Sequence, residues 1–341
     1  MISARRPDGP VVLSIVAPAF NEAAGLVHFH RRLGTVLDDM PVLAEIVYVN
    51  DGSSDDTLEV MAGLRRGDPR VSIVDLSRNF GKEIALTAGL DHASGDAVVV
   101  IDADLQDPPE LIPELFRGWM EGYDVVYGQR VSRDGESFLK KSTAYAFYRL
   151  IQRLSHVRIP EDTGDFRLLG RRALDALGQV REQHRFMKGL FAWVGFPQKA
   201  VRYRREPRYA GRTSWNYWRL WNFALEGITS FTTAPLKAAT YAGLFTALLA
   251  FVYAAVIVAS TLLYGNPVAG YPSLLVAVLF LGGMQLLAIG ILGEYLGRAF
   301  DESKQRPLYF LNRFEPAKEC DANPAFQRVA SRPDGSRRVA S

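Results

Sequence analysis

A run of five apolar residues leads directly into two carboxylates at Ala97-Val98-Val99-Val100-Ile101-Asp102-Ala103-Asp104. The β-branched run is typical of a strand that is buried on both faces, as strands of parallel sheets are. Ligands of such sheets bind beyond the carboxyl ends of the strands. This stretch therefore predicts an α/β protein and places its candidate site just after residue 101.

The sequence upstream repeats the same pattern three times. Predicted strands over 11–18, 45–49 and 71–76 are followed by segments with helical apolar spacing over 22–37, 55–65 and 82–93. Such repetition favours a mostly parallel sheet flanked by helices. Polar clusters follow the four predicted strands, at 18–22, 50–55, 77–82 and 102–107. We expect these four clusters to form a single site at one edge of the sheet.

The Asp-x-Asp pair itself has several interpretations. Asp102 and Asp104 could share one hard divalent cation, which prefers oxygen ligands and keeps positions open for phosphates. The same pattern occurs in phosphatases, in receiver domains and in surface turns. Gln106 stands where the phosphatase pattern has Thr or Val. Receiver domains are about 120 residues long and have no apolar hairpin of the kind that ends this chain.

Residues 238–293 contain no Asp, Glu, Lys or Arg. A turn-rich patch divides them into the apolar stretches Ala238 to Leu263 and Ser273 to Gly293, each as long as the ~20 residues that cross a bilayer. Basic residues precede and follow the pair, whereas the connecting loop is uncharged, so we predict a transmembrane hairpin with both chain ends in the cytoplasm. The alternative is two buried helices of a large soluble core. The polar residues 1–10 show no signal peptide.

Basic side chains dominate residues 130–219, which have a net charge of +12, whereas residues 1–129 have a net charge of −11. This region includes a Trp stripe, at Trp215, Trp218 and Trp221, and an amphipathic segment over 138–154. We interpret both as surfaces that lie against anionic lipid. The alternative is that either packs on the soluble core. Cys320 is the only cysteine, which excludes a disulfide scaffold.

Five motifs, taken in order along the chain, resemble those of the family-2 glycosyltransferases. They are Pro18-Ala19-Phe20-Asn21-Glu22, Val49-Asn50-Asp51-Gly52-Ser53-Ser54-Asp55, Asn79-Phe80-Gly81-Lys82, Asp102-Ala103-Asp104-Leu105-Gln106-Asp107-Pro108-Pro109-Glu110 and Asp162-Thr163-Gly164-Asp165-Phe166-Arg167. More narrowly, the chain is similar to the polyprenyl-phosphate branch, which includes dolichol-phosphate mannosyltransferases and bacterial bactoprenol glucosyltransferases. The resemblance covers residues 11–310 and implies a GT-A type fold with two C-terminal membrane helices.

With this resemblance the chain divides into five predicted segments. They are a flexible N-terminus over 1–10, a GT-A glycosyltransferase domain over 11–214, a juxtamembrane amphipathic segment over 215–237, two transmembrane helices over 238–298 and a cytoplasmic tail over 299–341. Within the tail, residues 303–341 are polar and predicted to be flexible.

The resemblance also implies how the donor is held. Pro18, Phe20, Glu22 and Asp51 would surround the nucleotide base and ribose, and Lys82 and Asp102 would contact the diphosphate. Mg²⁺ or Mn²⁺ would be bound by Asp102, Asp104 and Gln106, so that Asp104 counts as a catalytic residue. Arg212 and Ser214 resemble a loop that closes over the diphosphate, although Trp215 replaces the usual Lys after the serine. For Lys82, the alternative is a side chain that faces solvent.

The acceptor makes different demands on the protein. A phosphate monoester has its second pKa near 6, so a lipid phosphate is already nucleophilic at neutral pH and needs cations rather than a general base. The resemblance places the acceptor-phosphate contacts at Arg130, Arg133, Lys140 and Lys141. For Lys140 and Lys141, the alternative is a basic helix face at the membrane. Asp165 matches the position called catalytic, and we expect it to orient the acceptor or a sugar hydroxyl.

Together with these observations, the resemblance implies an inverting, metal-dependent transfer of one hexose, glucose from UDP-glucose, to undecaprenyl phosphate at the cytoplasmic face of a bacterial inner membrane. No Gln-x-x-Arg-Trp string is present, so we expect one sugar per acceptor and no processive synthesis. Two alternatives stay open: a GDP-mannose-dependent mannosyltransferase, and a non-catalytic scaffold or lipid transporter. We expect no nucleic acid partner. Gly293 and Gly297 have the spacing of a helix-packing face, which leaves a homo-oligomer open.

Overall fold

The computed structural model describes residues 10–131, 163–204, 234–264 and 270–318. Within these ranges, eight strands form one mixed sheet in the order β7-β5-β6-β4-β1-β2-β3-β8. The strands are β1 Val12–Ala19, β2 Leu43–Asn50, β3 Val71–Leu76, β4 Ala97–Val100, β5 Val125–Arg130, β6 Thr163–Gly170, β7 Gln198–Tyr203 and β8 Leu311–Glu315. The predicted α/β class with a helix-flanked sheet is confirmed.

Helices connect and cover the strands on both faces of the sheet. They are α1 Ala23–Asp38, α2 Thr57–Gly67, α3 Lys82–His92, α4 Ile112–Met120, α5 Arg171–Gly178, α6 Met187–Trp193, α7 Ala234–Tyr264 and α8 Tyr271–Ser303, with a 3-10 turn at Pro109–Leu111. The four strands and three helices predicted in the first hundred residues are all present.

The strand residues alternate between two cores because successive side chains point to opposite faces of a sheet. Ile15 and Ile46 belong to the core under α1, α2 and α4, whereas Val16 and Val47 belong to the core under α3, α5 and α6. Gly89 of α3 lies so close to the sheet that a Cβ there would be 2.4 Å from Val16 Cγ1. Helix α3 is thereby packed tightly against the sheet, which fixes where its first residue lies.

The second half of the sheet differs from the first. Strands β4, β1, β2 and β3 are mutually parallel, as predicted. Strand β6 then pairs antiparallel with both β4 and β5, and β5 pairs parallel with β7. The reversal at β6 brings Asp165, near the start of that strand, to the same edge as Asp102, which follows β4.

The C-terminal region returns to the sheet after the two long helices. Strand β8 pairs antiparallel with β3, Arg65 forms an ion pair of 3.0 Å with Glu315, and Ala317 is buried while its N–H donates to Ser72 Oγ. The expectation of a flexible tail from residue 303 is therefore wrong for residues 311–317. A polar strand at a sheet edge has too little apolar patterning to be recognised from sequence.

The predicted hairpin corresponds to the long helices α7 and α8, which contact each other. Within the described residues, one segment, Phe280–Ser303, is long and apolar enough to cross a membrane, and Ala238–Tyr253 is a shorter apolar segment. The C-terminal end of α8 contacts the domain, where Gln183 N–H donates to Glu302 Oε1 at 2.6 Å and His184 lies 3.3 Å from Asp301.

Candidate active site

The loops after β1 and β2 are joined by hydrogen bonds between backbone N–H groups and side-chain oxygens, and the loop after β3 packs against the β2 turn, as the polar clusters predict. Asn21 N–H donates to Ser53 Oγ at 3.1 Å, and Ser54 N–H donates to Asn21 Oδ1 at 2.8 Å. Gly52 has φ 63°, and a Cβ there would lie 2.4 Å from the carbonyl carbon of Arg78. Glycine is thus required where the β2 turn passes against the β3 loop.

Asp51 joins the β2 turn to the loop that precedes α3. Its buried carboxylate accepts N–H bonds from Phe80 at 2.7 Å and Gly81 at 3.0 Å. Burial raises the pKa of the Asp51 carboxyl, and these two bonds oppose that rise. Phe20, by contrast, is 45% exposed, and Pro18 and Glu22, two positions before and after it, are half-buried. The nucleotide contacts of all four residues stay a prediction.

Lys82, the first residue of α3, bridges two carboxylates. Its Nζ lies 2.7 Å from Asp102 Oδ2 and 2.6 Å from Asp165 Oδ2. The side chain is 46% exposed, whereas that of Asp165 is only 8% exposed. Burial alone would raise the pKa of the Asp165 carboxyl, but Lys82 and Lys188 hold it well below its usual range. Lys82 therefore joins the end of β4 to the start of β6. The surface around Lys82, Asp102 and Asp165 at this edge of the sheet is named the cleft.

In the Asp-x-Asp loop, three buried residues lie between two half-buried ones. Ala103 and Leu105 are buried, Leu105 with φ 61°, whereas Asp102 and Gln106 are half-buried. Asp104 is 9% exposed, and its Oδ1 accepts the Gln106 N–H at 3.1 Å. Buried Ala103 and Leu105 fix this loop against the core. The polar residues next to them in the chain therefore have defined positions at the edge of the sheet.

The oxygen ligands of this loop fit a hard divalent cation such as Mg²⁺ or Mn²⁺. The Lys82 ammonium, 2.7 Å from Asp102, shows that this carboxylate accepts a cation. In the described parts of the chain, no group of three or more His, Cys, Asp or Glu side chains is arranged to hold a metal by itself. Two carboxylates and an amide suit a cation that takes its other ligands from a diphosphate and water.

Two further titratable side chains, buried Arg167 and half-buried Glu83, lie near Asp165. The Arg167 guanidinium donates to the carbonyl oxygens of Gly164 at 2.8 Å and Asp165 at 3.3 Å, and it stacks 3.9 Å above the Phe191 ring. Burial lowers the pKa of Arg167 to about 10. Burial also raises the pKa of Glu83, whose Oε2 accepts the Met187 N–H, to about 7. Arg167 thus holds the backbone of the Asp165 segment, and Glu83 ties the start of α3 to the start of α6. Sequence reasoning did not select Glu83 or Arg167.

Arg130 reaches the same edge from the end of β5. Its Nε donates to the Tyr203 hydroxyl at 3.4 Å, and its Nη2 is 4.0 Å from Asp107 Oδ1. A Cβ at Gly164 would lie 2.7 Å from Arg130 Nη2, so the guanidinium packs against the residue that precedes Asp165. Asp102 and Arg130 also interact electrostatically. The structure therefore brings together Lys82, Asp102, Asp165 and Arg130.

Five of the predicted site residues lie outside the described ranges. They are Arg133, Lys140, Lys141, Arg212 and Ser214. The Trp stripe and the amphipathic segment over 138–154 lie outside them as well, as do residues 1–9. Their roles stay predictions from the sequence. Tyr203, which contacts Arg130, was missed because no motif surrounds it.

A mixed, helix-flanked sheet with acidic and basic side chains gathered at the carboxyl ends of its strands defines a GT-A-like glycosyltransferase domain. Family models match at two places: glycosyl transferase family 2 over residues 14–178, and the GtrB C-terminal hairpin over residues 234–299. The chain belongs to glycosyl transferase family 2 and is a glycosyltransferase. The predicted family is thus confirmed, and the match to the hairpin model over residues 234–299 agrees with the predicted C-terminal hairpin.

Similar proteins match along nearly their whole length. A protein of Synechocystis sp. named as an uncharacterized glycosyltransferase is 53% identical over 89% of this chain and 95% of its own. The bactoprenol glucosyl transferase of Shigella phage SfV is 49% identical over 88% of this chain and 97% of its own. A solved structure, glucosyl-3-phosphoglycerate synthase from Mycobacterium tuberculosis, is 18% identical with a TM-score of 0.46, covering 67% of this chain and 83% of that one.

Proposed function

We propose that this chain transfers one glucosyl residue from UDP-glucose to undecaprenyl phosphate at the cytoplasmic face of a bacterial inner membrane. The bactoprenol glucosyl transferases that align with nearly the whole chain support this acceptor and this sugar. The observation that carries the proposal is the position of Arg130 beside the Lys82–Asp102–Asp165 cluster. One cleft then offers a cation for a lipid phosphate next to carboxylates suited to a metal-bound diphosphate.

The donor half of the site consists of the strand ends on the β1–β4 side. Asp102, Asp104 and Gln106 would hold Mg²⁺ or Mn²⁺, which when bound offsets the negative charge that the departing nucleoside diphosphate gains. Lys82 supplies a second positive charge to the same oxygens. Pro18, Phe20, Glu22 and Asp51 border the space for base and ribose, and Arg212 and Ser214 would close over the diphosphate.

The acceptor half lies on the β5–β6 side. Arg130, together with Arg133, Lys140 and Lys141, binds the lipid phosphate and offsets its repulsion from the donor. One phosphate oxygen forms a bond to the anomeric carbon, while the bond from that carbon to the diphosphate oxygen breaks and the configuration inverts. No proton has to be removed from the dianionic phosphate. Asp165, fixed by Lys82 at 2.6 Å, orients the reacting groups.

The two long helices support a reaction at the membrane. We propose that α7 and α8 cross the bilayer as a hairpin with both ends in the cytoplasm, in agreement with the positive flanks of the apolar run. The apolar segment of α8, Phe280–Ser303, is not buried against the rest of the described chain, as expected of a surface that faces lipid. A polyprenyl chain in the same bilayer could then present its phosphate to the cleft.

A donor comparison tests the proposal. The purified full-length protein is incubated with undecaprenyl phosphate, Mg²⁺ and one of UDP-glucose, UDP-galactose, UDP-GlcNAc or GDP-mannose, and the lipid products are identified by mass spectrometry. We expect a product that carries one hexose with UDP-glucose. Product with GDP-mannose alone would identify a mannosyltransferase instead, and the absence of product with every donor would favour a scaffold.

Asp104→Asn tests the role of the metal-binding loop. The amide keeps the shape of the side chain but removes the charge that a divalent cation requires, so we expect turnover to fall by about 100-fold or more. Mn²⁺ binding, followed by electron paramagnetic resonance in the presence of UDP, should weaken in parallel. Asp39→Asn, a change of the same kind at an exposed residue beyond α1, is the matched control. Full activity in Asp104→Asn would contradict the assignment.

A further inference from the structure

We infer that Tyr203 is a positioning residue for the acceptor phosphate, acting through Arg130 and held in turn by Asp107. This inference rests on the proposed function, because it takes Arg130 as the group that binds the phosphate. Tyr203 ends β7, and Arg130, its register partner in the parallel pair, ends β5. The two side chains therefore emerge from neighbouring strand ends, at the edge of the sheet where the cleft lies.

A directed chain of hydrogen bonds connects the three side chains. Arg130 Nε donates to the Tyr203 hydroxyl at 3.4 Å, and that hydroxyl donates to Asp107 Oδ1. Burial and the neighbouring Asp107 raise the pKa of the Tyr203 hydroxyl, so it keeps the proton that it donates. Because the hydroxyl gives its proton to Asp107, its lone pairs face Arg130. The orientation of the chain is thus set by the buried carboxylate.

The surrounding packing leaves this arrangement little freedom. Tyr203 is 5% exposed, and its ring packs edge-on against Phe166 at a centroid distance of 6.0 Å. A Cβ at Gly128 would lie 2.9 Å from the Tyr203 ring, and one at Gly164 would lie 2.7 Å from the Arg130 guanidinium. The tyrosine ring and the guanidinium both occupy space that any larger side chain at these two glycines would fill.

The distances also indicate why a tyrosine lies between the two charges. Asp107 Oδ1 is 4.0 Å from Arg130 Nη2, which is longer than a hydrogen bond, whereas a paired Arg–carboxylate fork would use two short bonds. The tyrosine thereby fixes the direction of the guanidinium while the carboxylate neutralises it only in part. Arg130, whose side chain is 24% exposed, keeps charge and accessible surface for a phosphate.

Tyr203→Phe removes the hydroxyl and keeps the ring. In steady-state assays with the full-length protein, we expect the KM for undecaprenyl phosphate to rise about tenfold. We expect kcat and the KM for the nucleotide sugar to change by less than about twofold, since the donor contacts are untouched. Tyr309→Phe is the matched control, because Tyr309 makes a similar bond, 2.9 Å to Asp91, away from the cleft. Its kinetic constants should equal those of the wild type.

A double-mutant cycle separates positioning from general damage to the fold. If Tyr203 acts through Arg130, then Tyr203→Phe should add no further rise in acceptor KM to an Arg130→Lys protein. An unchanged acceptor KM in Tyr203→Phe, or equal rises in the KM values of both substrates, would overturn the inference. So would a full additional rise in the Arg130→Lys background. If the wild type forms no lipid product, the proposed function fails rather than this inference.

Discussion

Replacing Lys82 with Met tests the ion bridge at the centre of the site. The substitution keeps the helix start and the aliphatic stem but leaves the carboxylates of Asp102 and Asp165 without their shared cation. A hydrogen bond between charged groups contributes about 1.5–3 kcal/mol, and exposed pairs contribute about 0–1 kcal/mol. Because Lys82 is 46% exposed, we take the low end of the first range, about 1.5 kcal/mol, for the bond to buried Asp165 and the middle of the second, about 0.5 kcal/mol, for the bond to Asp102. The expected loss in the free energy of unfolding is therefore about 2 kcal/mol.

The loss should depend on pH in a defined direction. The pKa of Asp165 is lower in the folded protein than in the unfolded chain, so its stabilising effect is complete above the unfolded pKa of about 4. It is lost as the pH falls from that value toward the lower folded pKa, because the unfolded chain then binds a proton that the folded carboxylate, paired with Lys82, does not bind. The stability difference between wild type and Lys82→Met should therefore be largest near pH 7 and shrink below about pH 4.

Thermal unfolding in detergent is a suitable assay. At pH 7 a loss of about 2 kcal/mol corresponds to a fall in Tm of about 4–8 °C. Lys199→Met is the matched control, since Lys199 pairs with Glu121 at the surface and both side chains are more than a third exposed. That control should lower the Tm by less than about 2 °C. A Lys82→Met protein that melts like the wild type at pH 7, or one whose deficit is the same at pH 3, would refute the ion-bridge reasoning.

Two further predictions concern stability. Ala317→Asp should lower the Tm and speed hydrogen exchange in β8, because a charge would replace a methyl group that is 1% exposed. Lys318→Asp, at the exposed neighbour, is the control, and equal effects of both substitutions would count against docking of β8. Glu83→Gln should gain Tm relative to wild type as the pH rises from about 4.5 to about 7, since the folded pKa of Glu83 exceeds its unfolded value and its contribution is lost over that window. The same change at exposed Glu59 is the control, and a Glu83→Gln difference that does not vary with pH would argue against the prediction.

The parallel half of the fold could be predicted because its signals are local. Each of the first three strands is an apolar run followed by a helix, and the polar residues that matter come directly after each strand. Close packing of the helices on the sheet then brings Asp51, Lys82 and Asp102 to one edge without further information. Their family motifs identify the same residues.

The rest depends on long-range pairing that a single sequence does not reveal. Arg130 and Tyr203 become neighbours only because β5 and β7, separated by more than sixty residues, pair in parallel. Strand β8 is polar, and it forms a strand because it pairs with the edge of β3. In the chain it comes only after the two long helices, so no local pattern links it to β3. Tyr203 had no motif around it, so only the three-dimensional structure brings it to the site.

The configuration of the lipid product tests the central claim most directly. The purified protein is supplied with UDP-glucose, in which the sugar is α-linked, and with undecaprenyl phosphate, and the anomeric proton of the product is examined by NMR. Direct attack of the lipid phosphate on the anomeric carbon predicts a β-linked glucosyl phosphate with one glucose per lipid. An α-linked product, or glucose released without any lipid product, would contradict the account.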